Sequence, residues 1–238
     1  MLQARAFCNV MLSSRNRKNV SELPKRNKCI LGVTSMWMLF PIAHGMLQWV
    51  KGDVDNGQKA VIIALCCSCS ASTIFWFDAK TGSLFHKLDW FSAVQYFTCM
   101  ILVTAMPGKG SHVLSPAVSM FLPLCIIILF LLGDMCFERR MYKLQLLFHI
   151  LFRYAGYWWA HLLLVPTEAN FSVAFLILTV AYFGHILLFD LLARRRDVLW
   201  TRNLYCTSCA LLVMWILVCA QLHCMSLAVT TNTKNSVF

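Results

Sequence analysis

Charge is what this chain has least of. Only 13% of its 238 residues are charged, and the acids number ten. A soluble domain usually carries about 25% charged residues and about 45–50% apolar ones, whereas 59% of this chain is hydrophobic. A water-facing globular surface is excluded by that balance. No secretory h-region opens the sequence, and no internal repeat or low-complexity tract runs through it. Its last apolar stretch has no lysine, so a retinal Schiff base has no anchor there. Cysteine is plentiful, at twelve, yet it is missing from every link on one side of the apolar stretches. Cys66, Cys67, Cys69, Cys99, Cys125, Cys209, Cys219 and Cys224 fall inside apolar runs, and Cys8, Cys29, Cys136 and Cys206 near basic ones. That pattern argues for free thiols acting as small hydrophobes and against a disulfide scaffold.

What the chain does have is long apolar runs. A membrane-crossing helix needs about 20 mostly apolar residues, and seven runs meet that length: 29–50, 59–78, 87–106, 113–133, 144–165, 170–192 and 203–227. The expected fold is all-α, a polytopic membrane bundle of seven transmembrane helices over 29–227. It follows a basic tail at 1–28 and precedes a short tail at 228–238. The tail at 1–28 reads either as an organelle transit peptide or as a cytosolic positive-inside segment. Sixteen Lys and Arg fall in the tail and the even-numbered links, against four in the odd-numbered links and the last tail. This bias predicts an N-terminus inside and a C-terminus outside, opposite to a G-protein-coupled receptor. The formal charge of +11 is thereby assigned to topology and not to nucleic-acid binding. Trp76, Trp90 and Trp200 are expected at the inner interface, and Trp49, Trp158 and Trp159 toward the outer one. An Asn170–Ser172 glycosylation sequon falls on the outer side. An endomembrane or the plasma membrane is the favoured location, with an organelle membrane as the alternative.

At the inner edge the second run ends Ser72-Thr73-Ile74-Phe75-Trp76, and the third opens His86-Lys87-Leu88-Asp89-Trp90. An acid in a membrane is costly and is a functional-site candidate. Ser72 followed by Trp76, then Asp89 opening the next span, resembles the hemolysin III family. It is also similar to the progestin and adipoQ receptors and, more distantly, to the alkaline ceramidases. The resemblance covers about 20 residues together with the topology. It implies a seven-span scaffold that houses a zinc-dependent hydrolase acting on lipid amides, with Ser72 and Asp89 at the catalytic positions. The departures bear on the chemistry. Trp76 stands where the family has a histidine, the first span lacks the acidic motif, and no histidine occurs between His185 and His223. Catalytic zinc needs three protein ligands and an open position. The alternative ligand set is His86, Cys206 and Cys209, with Asp89 as base or fourth ligand; the bland reading of the two cysteines is helix packing.

The fifth run carries His149, Arg153 and Tyr157 at four-residue spacing, with His161 beyond. Arg153 lies about 15 Å deep at 1.5 Å per residue, so it must face a partner or water. Asp190 and Asp89 are the candidate counter-charges. One reading is a buried ion pair that locks spans together. The other is a ligand site or proton path formed by Arg153, His149, His185 and Asp190. The histidines fall into two layers, which raises a haem-bearing electron carrier as a further alternative, and Pro116 with Pro123 suggests a kink of the sort that transporters use. The functional expectation is a diverged member of the hydrolase superfamily that binds membrane lipid or a sterol-like ligand. A metal-dependent lipid amide hydrolase, and a transporter or haem carrier, are the alternatives.

Overall fold

A computed structural model describes residues 20–105, 116–164, 171–194 and 197–214. The candidate transit sequence at 1–19, Lys109, His112, Asn170, His223, Cys8, Cys219, Cys224 and the tail 228–238 lie outside the described residues. One 3-10 turn, Val20–Glu22, leads into α1 (Lys25–Met36), α2 (Leu39–Lys51), α3 (Asn56–Phe77), α4 (Leu84–Ala105), α5 (Pro116–Glu138), α6 (Tyr142–Leu164) and α7 (Phe171–Ala193). A further helix, α8, is described over 198–214. The described fold is all-α.

A helix occupies each expected apolar run, the first being shared by α1 and α2. Among the described residues, five segments are long and apolar enough to cross a membrane: Lys25–Lys51, Asn56–Phe77, Leu84–Ala105, Phe121–Glu138 and Leu176–Ala193. That is the make-up of a multi-pass integral membrane protein. α6 has the length at 23 residues, but its stripe of Gln145, His149, Arg153, Tyr157 and His161 makes it less apolar.

Every residue of α1 from Asn27 to Met36 is buried, so the first helix is the central one. It packs on α3, α6 and α7. Small side chains let neighbours approach, as is usual where helices associate in lipid. A Cβ on Gly32 would stand 2.6 Å from the Tyr205 ring. Ser35 and Thr34 turn their hydroxyls back to the Leu31 carbonyl at 3.0 and 2.8 Å, which satisfies them inside an apolar surround. Meanwhile Phe91, Phe121, Leu124, Leu176, Val180, Leu188 and Leu211 are exposed; in a bilayer these form the lipid-facing surface.

The break between α1 and α2 has a local cause. Pro41 has no amide proton, and its ring collides with the carbonyl four residues earlier, that of Trp37. The helix ends at Met36 and restarts at Leu39. α3 starts with a capping box: Asp55 Oδ1 accepts from Gln58 N at 2.8 Å, and Asp55 N donates to Gln58 Oε1 at 3.0 Å. Asp55→Ala is expected to cost about 1 kcal/mol, read as a lowered midpoint of unfolding in detergent.

At the end of the bundle where α3 finishes and α4 starts, cations gather at the C-terminal end of α3 and the residues just after it. Lys25 Nζ donates to Phe77 O at 3.1 Å, Lys28 Nζ donates to Ala79 O at 3.4 Å, and the Arg202 guanidinium sits 4.6 Å from the Phe77 ring centroid. A helix C-terminus favours such charges. Lys80, hydrogen-bonded to Asp78, holds that carboxyl below its ordinary value.

Trp76, Trp158 and Trp159 are buried inside the bundle, so these three rings pack against protein. Trp158 and Trp159 belong to the core, and the Trp159 indole donates to Thr104 Oγ1 at 3.2 Å. The nine described cysteines, including Cys206 and Cys209, are all free thiols.

Candidate functional site

A cavity of about 160 Å³ lies between α3, α4, α5 and α6. Residues of all four helices wall it, and Val20 and Leu23 of the preceding segment contribute from the α3–α4 end. Its polar wall is made of Ser68, Ser72, His86, Asp89, Asp134, Gln145, His149 and Arg153. Trp76, Trp90, Phe75, Phe97, Phe130, Phe137 and Phe152 supply aromatic surface.

Arg153 is the centre of the arrangement, at only 6% exposed. Its Nη2 donates to Ser72 Oγ at 2.9 Å, and its Nη1 donates to Ser35 Oγ. The two serine oxygens lie 3.0 Å apart, so α1 and α3 present a pair of acceptors to the guanidinium fork. The Trp76 ring lies 5.9 Å from the guanidinium carbon, a cation–π contact. Trp76 also meets His149 edge-on at 6.1 Å. Arg153 Nε, Trp76 Nε1 and Gln145 Oε1 are buried and find no hydrogen-bond partner among the described residues.

Ser72 lies five residues before the end of α3, and Asp89 five residues after the start of α4. Both are therefore about 7–8 Å in from the same link. The Asp89 charge acts on Arg153. Ser72, Trp76, His86, Asp89, His149 and Arg153 thus share one cavity.

Two expected site members sit elsewhere. Asp190 is not the counter-charge of Arg153. It pairs with Arg26 and with Arg194, whose Nη2 lies 2.9 Å away. Arg26 and Asp190, with Lys143, rim a separate crevice of about 380 Å³ between α1, α6 and α7. Asp190 lies near the end of α7, one turn from Arg194, and α1 brings Arg26 to it. His185 also faces α1, where its Nδ1 accepts the Trp37 indole proton at 3.2 Å.

The alternative metal set does not assemble. Among the described residues, no group of three or more His, Cys, Asp or Glu is disposed to hold a metal ion. The His86 Nδ1 accepts the Gly82 amide proton at 3.0 Å. A neutral ring then carries its own proton on Nε2, leaving no lone pair for a metal. α8 does begin at the expected end of the bundle, but on the far side of α3 from the cavity. Tyr205 donates to Thr73 O at 2.9 Å, Cys206 is exposed, and Cys209 packs on the α1–α7 core cluster. Of the histidines assigned to the inner half, His86 lies on Phe75 and His149 against Trp76 and Phe152; of those assigned to the outer side, His44 meets His161 at 5.8 Å.

Reading the sequence missed Ser35, Asp134 and Gln145. Gln145 extends the α6 stripe by one more four-residue step. Asp134 interrupts an apolar run in α5, the same signal that singled out Asp89. Ser35 carried no signal, because a lone serine in a helix is ordinary.

No family model, no curated protein and no solved structure matches the chain.

Proposed function

We propose that this protein binds the polar end of a lipid or sterol-like molecule in the α3–α6 cavity. Ser72, Asp89 and Arg153 are its contacts, on a scaffold diverged from the hemolysin III, adipoQ receptor and ceramidase superfamily. The proposed topology is seven spans with the N-terminus inside, so the cavity sits toward the inner face. The observation that carries this reading is Arg153: a guanidinium buried in a helix bundle, gripped on one side by two serines, with Nε unpartnered among the described residues. A buried donor without a partner costs about 1–3 kcal/mol, more when charged, and an oxygen of a bound molecule would relieve that cost. That Ser72 and Asp89 wall the same cavity supports the kinship. At about 160 Å³ the space is smaller than the ~300–1,000 Å³ of pockets for drug-sized ligands. It suits a polar end and not a whole lipid. Trp76 and the dispersed histidines speak for binding rather than zinc hydrolysis.

The test is the lipid that co-purifies with the protein in a mild detergent, quantified by mass spectrometry. Arg153→Gln is expected to reduce a specific lipid about tenfold, the equivalent of about 1.4 kcal/mol. Arg153→Lys, which keeps the charge but loses the fork, is expected to give an intermediate loss. An unchanged lipid profile in a folded Arg153→Gln protein overturns the proposal.

A further inference from the structure

We infer that the ligand of this cavity carries an ammonium group, and that it enters from the bilayer between α4 and α5. The inference rests on the reading of the cavity as a ligand site and adds the chemical class and the route.

Charge comes first. The cavity wall holds one guanidinium, Arg153, and two carboxylates, Asp89 and Asp134. Counting histidine as uncharged, as in the chain's own formal charge of +11, the formal charge of the wall is negative. The local field therefore selects against the anions that the rest of the molecule attracts.

Hydrogen-bond chemistry agrees. Gln145 Oε1 is a buried acceptor without a partner among the described residues, and Gln145 is only 4% exposed. It lines the same space as the two carboxylates. Such an oxygen calls for a donor, and an ammonium group brings up to three. Trp76 and Trp90 add ring faces, the preferred surface for an organic cation. Arg153 Nε and Trp76 Nε1 are buried donors without partners among the described residues, and they call for an acceptor on the same ligand. Together these groups fit an amino-alcohol or zwitterionic polar end, with nitrogen toward the acids and oxygen toward Arg153.

The route follows from packing. α4 packs closely on α3, and α5 on α6, but α4 and α5 barely touch each other. The cavity lies behind that seam. Asp89 with Ala93, Val94 and Phe97 forms one edge, and Phe130, Gly133 and Asp134 the other. One acid thus stands on each side of the opening. Asp89 is five residues from the start of α4, and Asp134 four from the end of α5. Both are about 6–8 Å inside the helix ends, the depth at which a lipid headgroup meets its chains. Phe91 of α4 and Leu124, Ile128 and Leu131 of α5 are exposed apolar side chains on the two helices that flank the seam.

The test uses the full-length protein in a maltoside detergent, which has no charge of its own, and calorimetric titration with four amphiphiles of one chain length: dodecylamine, dodecyltrimethylammonium, dodecanol and dodecyl sulfate. The amine is expected to bind about tenfold or more tightly than the alcohol, and the sulfate least tightly, against the pull of the basic chain. Asp134→Asn and Asp89→Asn are each expected to remove most of the preference for amine over alcohol. Because the preference is read on the unmodified protein, it does not depend on any variant folding. If dodecanol binds as tightly as dodecylamine, and Arg153→Gln weakens both, the cavity remains an amphiphile site and the ammonium inference falls. If dodecyl sulfate binds most tightly, the inference falls too. Should none of the four bind, both the inference and the proposed function fail. A preference for dodecylamine over dodecyltrimethylammonium supports the hydrogen-bonding role of Gln145 in particular.

Discussion

Replacing Ser35 and Ser72 together by alanine is expected to destabilise the protein by about 3–5 kcal/mol, and adding Arg153→Met to that pair is expected to restore most of the loss. The reason is the asymmetry of buried hydrogen bonds. Removing the acceptors leaves a buried guanidinium facing methyl groups, at about 1–3 kcal/mol per orphaned donor and more because the donor is charged. Removing the charge as well leaves an apolar contact of similar volume, which buried polar clusters commonly tolerate. Ser35 comes from α1, Ser72 from α3 and Arg153 from α6, so the double variant cuts a three-helix junction. Resistance to unfolding by a denaturing detergent is the measurement. A triple variant no more stable than the double would show that the serines act through packing alone. The triple variant is also expected to lose the co-purifying lipid while keeping its stability, which separates the structural use of Arg153 from its use as a contact.

The second large effect is expected at Gly32. A Cβ there meets the Cε2 and Oη atoms of Tyr205 at 2.6 Å and Cζ at 2.8 Å. Tyr205 has little room to give, because its hydroxyl is bound to Thr73 O at 2.9 Å and its ring lies against Phe77. Gly32→Leu is therefore expected to cost about 3 kcal/mol, at the upper end of ordinary overpacking, and to lever α8 away from α1. Combining Gly32→Ala with Tyr205→Leu is expected to cost less than the two single changes summed, since the smaller partner vacates the contact. Additive losses would mean that the two residues do not press on each other.

The helices were legible because apolar length alone determines them. All seven expected runs are helical over most of their described residues, the first interrupted at Trp37–Met38, and the ends differ by a few residues where both ends are described. The site was legible where one intramembrane polar residue sufficed as a signal, as for Ser72, Asp89, His149 and Arg153. It was not legible where the answer depends on which helices touch. Asp190 and Asp89 were equal candidates for Arg153 on depth. Only the central position of α1 decides between them, because α1 brings Arg26 to Asp190 and screens α7 from the cavity. His185 is lost to the site for the same reason, since Trp37 of α1 takes its ring nitrogen. A helical period gives the face a residue occupies, but it does not give the neighbour that face meets.

The central place of α1 bears on how the protein is made. The ribosome delivers this helix before α3, α6 and α7, with Asn27, Lys28, Thr34 and Ser35 among its buried residues, and none of the helices that will enclose it yet exist. Ser35 waits for an arginine encoded 118 residues later. Until α6 is threaded, α1 must rest against lipid or a chaperoning surface, and its stable residence depends on the rest of the chain closing around it. Biogenesis is therefore under its greatest strain early in synthesis, and a chain truncated before α6 would present the cell with a finished first helix that has nowhere to settle.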